Sequence, residues 1–67
     1  MHELRYRIRL VKKGQIAFVV LAATQGGFQS TPWEGEAWTC SKATAEATAR
    51  QIRRSHPRLT VTVEIAS

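Results

Sequence analysis

Glu3-Leu4-Arg5-Tyr6-Arg7-Ile8-Arg9-Leu10-Val11, then Lys12-Lys13-Gly14-Gln15, then Ile16-Ala17-Phe18-Val19-Val20-Leu21-Ala22-Ala23, is the stretch that decides the fold. Its first block alternates without a break. Leu4, Tyr6, Ile8 and Leu10 point one way, and Glu3, Arg5, Arg7 and Arg9 the other. Period two is the signature of a half-buried strand. The last block is a continuous apolar run, as expected of a strand covered on both faces or lying centrally in a sheet. Lys12 to Gln15 joins the two as a hairpin turn.

Two registers compete for that hairpin. A type I turn at Lys12-Lys13 with Gly14 in the left-handed region sets Val11 opposite Gln15. Ile16, Phe18 and Val20 then join the face of Leu4, Tyr6, Ile8 and Leu10. Ala17, Val19 and Leu21 fall behind, beside the arginines. A two-residue turn at Lys13-Gly14 slips the register by one and sends Phe18 to the arginine side. The first is favoured, because glycine is needed once and the larger side chains reach the core.

Beyond the hairpin, residues 24–37 hold Gly26-Gly27, Pro32 and Gly35, and read as turns. Phe28 to Thr31, or Glu36 to Cys40, supplies a short third strand. Ser41 is an N-cap, and Ala43, Ala45, Ala47 and Ala49 favour the helix that follows. Glu46 and Arg50 form an i,i+4 pair, and Arg53 and Arg54 suit the helix C-terminus. Pro57 ends the helix at or before His56. The predicted buried stripe is Ala45, Ala49 and Ile52. From Arg58 onward alternation returns: Leu59, Val61, Val63 and Ile65 point inward on a final strand. The expected fold is α+β: a three- to four-stranded, mainly antiparallel sheet with one helix packed on one face, in the order β-β-(β)-α-β. Residues 1–67 make a single domain.

Gly14-Gln15, Phe18-Val19-Val20-Leu21-Ala22-Ala23 and Trp38-Thr39-Cys40-Ser41-Lys42-Ala43-Thr44-Ala45-Glu46 resemble the YegP-like family of small bacterial proteins. Those domains carry a Gly-Gln hairpin turn, an aromatic-Val-Leu-Ala strand, and an aromatic-Thr-Ser-Lys segment opening a helix. The likeness spans about residues 6–54. The segment 24–37 is longer than the family's turn, and the final strand lies beyond the likeness. The resemblance implies a hairpin followed by a helix. It implies no biochemical role, because the family has none settled.

Ten Lys and Arg against five Glu give a net charge of +5. Such an excess points to acidic partners, of which nucleic acid is the commonest, though a small basic domain is also simply soluble. A single cysteine excludes an internal disulfide. A chain this short must then rely on tight packing or on a second copy, so a homodimer is one expectation. His2, Cys40 and His56 have no metal-ligand spacing, and no metal is expected. His2 is read as a terminal residue, and His56 as a helix C-terminal cap. The N-terminus is charged and alternating rather than an apolar leader, and no apolar run is long enough for a membrane span. The expected location is the cytoplasm, with no membrane partner.

Catalysis is not expected. The chain has no Asp, and its five Glu are scattered. Cys40 before an N-cap reads as a small buried residue. Gly26-Gly27 lacks the spacing and the following helix of a phosphate loop, so no cofactor or small-molecule ligand is expected. The sharper expectation is a binding module for nucleic acid. Arg5, Arg7 and Arg9 lie about 7 Å apart along one strand face. Lys12 and Lys13 extend the row at the hairpin tip. Arg53, Arg54 and Arg58 form a second cluster, with no requirement that the two share a surface. In the competing structural reading, the arginine stems cover the apolar backs of Val19 and Leu21. The alternative function is a protein-interaction or homodimerisation module using an exposed sheet edge or the strip of Val19 and Leu21. Trp33, between Pro32 and Glu34, is its exposed aromatic, and Trp38 is expected to pack against the helix.

Overall fold

The hairpin turn sets the register of the sheet. Lys12 pairs with Gln15 and Val11 with Ile16, so the turn has two residues, Lys13 and Gly14. Both have positive φ, 51° and 79°, as a type I′ turn requires. The favoured register of the sequence reading is therefore corrected by one residue. Glycine was not the only residue to enter the left-handed region. Lys13 does so at a cost of about 1 kcal/mol, because a type I′ turn matches the right-handed twist of the flanking strands where a type I turn would splay them.

The computed structural model describes residues 4–22 and 27–66. Gly26, with its expected turn, and His2 lie outside them. Strands β1 (Tyr6–Lys12), β2 (Gln15–Ala22) and β3 (Phe28–Thr31) precede helix α1 (Lys42–Ser55), and β4 (Thr60–Ile65) follows it. A single turn of 3-10 helix, Glu34–Glu36, stands between β3 and α1. The fold is α+β: one four-stranded sheet in the order β3-β2-β1-β4, with every pairing antiparallel.

The corrected register exchanges the faces of β2. Arg9 pairs with Phe18 and Leu10 with Ala17. Opposed residues share a face. Ala17 and Val19 therefore join Ile8 and Leu10 on the helix side of the sheet, and Phe18 lies with the arginines. Val19 is fully buried in the core, not part of an outer strip. Phe18 is nevertheless only 6% exposed. Residues 33–36 cross that face, and the Arg7 guanidinium lies 5.4 Å from the Phe18 ring centroid. A bulge between Val19 and Leu21 then resets the alternation, so Leu21 pairs with Gln29 and returns to the arginine side.

Beyond Phe18, β2 leaves β1. The gap is filled by residues 38–40: Trp38 donates its N–H to the Val19 carbonyl, and Tyr6 exchanges two backbone hydrogen bonds with Cys40. This wedge leads directly into α1. The Ser41 hydroxyl accepts from the Thr44 N–H and caps the helix. Ala45, Ala49 and Ile52 form its buried stripe, as the periodicity predicts, and His56 is its C-cap. The helix rests on β4 and β1. Its small residues allow close approach over Ile8, Leu10, Val19 and Val61, with Trp38 half-buried beside them. Leu4 and Ile65, read from the alternation as core, are 55% and 56% exposed. They lie at the end of the sheet away from the hairpin, where Leu4 precedes the last pair, Tyr6 with Ile65, and Ile65 belongs to it.

Candidate binding groove

The expected phosphate-binding row divides between the two faces of the sheet. Arg7 and Arg9 do share the outer face of β1, and Arg5 precedes the strand with the same parity. Their guanidinium groups are engaged within the molecule. Arg7 Nε donates to Glu64 Oε1 at 2.7 Å, and Arg9 Nη2 pairs with Glu64 Oε2 at 2.9 Å. Arg7 also pairs with Glu34. The hydrogen bond to Glu64 raises the Arg7 pKa above its ordinary value against the opposing effect of burial. Arg5 donates to the Thr39 carbonyl at 2.8 Å, tying β1 to the 38–40 wedge. Glu64 faces Arg7 because it is the directly opposed residue on β4. Glu34 is brought over the same face by the 3-10 turn. That turn is held by a Thr31 hydroxyl that donates to Glu36 and accepts from the Trp33 N–H.

Lys12 has the parity of Leu10, not of the arginines. It therefore leaves that row and emerges on the helix side of the sheet. There the helix covers β4 and β1, and the β2–β3 half at the hairpin end stays open. An open groove of about 800 Å³ results. Leu10, Ala17, Phe28 and Leu59 give it an apolar floor. Lys12, Lys13 and Arg58, all exposed, stand on its rim, and among the described residues no Asp or Glu lines it. The His56 ring meets Phe28 edge-on, with centroids 5.1 Å apart and planes at 78°, and closes the helix end.

Part of the second cluster thus joins the first. Arg58 reaches the groove because β4 begins beside Val11, next to the hairpin tip. Arg53 does not. It donates through Nε and Nη2 to the Val61 carbonyl, at 3.2 and 2.7 Å. Arg54 is exposed on the last turn of the helix. The grouping of Lys12, Lys13, Arg58, Phe28 and His56 was not foreseen. Its signal lay in the sequence: the even parity of Lys12, and an antiparallel β4 that must start where β1 ends.

Trp33 is 66% exposed, as expected. Cys40 is buried, and burial pushes its thiol pKa up despite the opposing charge of Arg5. A raised pKa disfavours the thiolate that nucleophilic or metal-binding roles need. Among the described residues, no helix is long and apolar enough to cross a membrane. Comparison with family models, with curated proteins and with solved structures finds no match to this chain.

Proposed function

We propose that the chain is a non-catalytic binding module for nucleic acid, and that the groove rather than the arginine row receives it. The observation that carries this reading is a rim of Lys12, Lys13 and Arg58 over an apolar floor, with no carboxylate among the described residues of the lining. A phosphate approaching Arg7 or Arg9 must compete with Glu64 or Glu34. Among the described residues, no ion pair involves Lys12, Lys13 or Arg58. The net charge of +5 favours approach of any polyanion. A cytoplasmic location and kinship with the YegP-like family, on the residues quoted above, belong to the same proposal and add no role to it.

An amide-shift titration with short DNA and RNA, at low and then moderate salt, tests the reading. Shifts at residues 10–17, 28 and 56–59 that fade with salt are expected. Shifts confined to Arg5, Arg7 and Arg9 would return the site to the strand face. No shifts with either nucleic acid would sink the proposal.

Exposed apolar residues on the opposite face favour a second reading, self-association. Ile16, Leu21 and Trp33 are 51%, 59% and 66% exposed on or beside the outer face of β2. Sedimentation would then show a dimer little affected by salt and weakened by Trp33→Ala.

A further inference from the structure

We infer that the groove takes a single strand, with a base on its apolar floor and the flanking phosphates on Lys12 and Lys13. The inference rests on the nucleic-acid reading above and adds the form of the ligand. A duplex presents its phosphates outward and keeps its bases stacked inside, so it would meet the rim and leave the floor unfilled. A single strand offers both groups at once, because its unstacked bases can turn away from the backbone. The groove matches that pair of groups. Leu10, Ala17, Phe28 and Leu59 are buried or half-buried and form an apolar surface, and the cations that line the groove with them are exposed.

The helix sets the direction. Its C-terminus, at Ser55 and His56, forms one wall of the groove. The partial negative charge of a helix C-terminus repels a phosphate. The phosphates therefore lie toward the hairpin tip, on Lys12 and Lys13, and the base toward Phe28 and His56. Phe28 is already held edge-on by His56, so its ring needs little ordering on binding.

Fluorescence anisotropy of the full chain with a labelled oligothymidylate and with a duplex of matched length tests this. The expected result is tighter binding of the single strand. With two phosphates held, on Lys12 and Lys13, its affinity should fall about sevenfold between 50 and 200 mM salt. The double variant Lys12→Gln/Lys13→Gln changes exposed residues only and should weaken binding and flatten the salt dependence. Phe28→Leu, which keeps an apolar floor without the ring, should weaken the single strand about tenfold or more and leave any duplex binding unchanged. Equal affinity for both forms would overturn the single-strand inference and leave the nucleic-acid reading standing. Binding of neither form at 50 mM salt would overturn both. Single-strand binding unaltered in the lysine variant would remove the phosphates from the assigned position.

Discussion

Cys40 pairs its backbone with Tyr6 while its side chain enters the core, so its thiol is dry although its backbone bridges a gap in the sheet. Burial raises its pKa above the ordinary value of 9.0. The sign of the consequence follows from which state ionises first. Above about pH 9 the unfolded chain loses a proton that the folded chain keeps, so the unfolded state is favoured as pH rises. The stabilising difference is complete below the unfolded pKa and is lost as pH climbs toward the folded one, at a slope of at most about 1.4 kcal/mol per pH unit. Urea denaturation from pH 7 to 10 should show this fall, and Cys40→Ala should lessen it. Parallel profiles for the two chains would mean that the thiol ionises alike folded and unfolded. Arg7 behaves differently, because its charge is retained and shared. Its side chain is only 15% exposed, and Glu64 and Glu34 supply the counter-charge that a half-buried guanidinium needs. Arg7 also covers the Phe18 ring, so the outer face of the hairpin is a small core in its own right.

The elements follow from local chemistry, and the turn between the first two decides how they combine. Lys13 occupies a left-handed conformation that Asn tolerates better than Lys. Lys13→Asn should stabilise the fold by about 0.5–1 kcal/mol, read as a higher urea midpoint with an unchanged slope. An unchanged midpoint would mean that Lys13 bears no backbone strain. Strands β1, β2 and β4, the helix, its cap at Ser41 and its stripe of Ala45, Ala49 and Ile52 were legible in the sequence, because alternation, capping and propensity act over a few residues. For β3 the sequence offers both Phe28 to Thr31 and Glu36 to Cys40, since four residues carry too little pattern. The register was not legible. It depended on one residue accepting positive φ, and on a cover for Phe18 that comes from residues 33–36, distant in the pattern. The candidate site was half legible for the same reason. Arg5, Arg7 and Arg9 were found on one face, but Glu64 and Glu34 reach them only through sheet pairing and the 3-10 turn. Lys12 was grouped by proximity in sequence when its parity assigned it to the other face.

At the scale of the whole molecule, an open sheet must end in two edges, here β3 and β4. β3 has only four residues, and a short edge offers little to a strange strand. β4 has six and alternates cleanly, so it is the exposed template. The pairing shows which of its groups face outward. The Ala66 N–H donates to the Arg5 carbonyl, which makes Arg5 and Ala66 a hydrogen-bonded pair. Such pairs alternate along an antiparallel ladder, so Leu10 and Val61 form a non-bonded pair. The Val61 carbonyl must therefore point away from β1, toward the free edge. Arg53 occupies it there with two donors. The guanidinium thus closes the middle of the edge, while its neighbours Val61 and Ile52 remain in the core. Removing it should have two effects that separate cleanly. Arg53→Ala should cost about 1–2 kcal/mol of stability through the lost charge-assisted bonds, and it should add concentration-dependent self-association in sedimentation velocity beyond that of the parent chain. Arg53→Lys, with a single point of donation, should fall between the two. A destabilised Arg53→Ala chain that associates no more than the parent would show that the contact stabilises the helix on β4 without guarding the edge. A chain unchanged in both respects would show that the Val61 carbonyl is satisfied equally well by water.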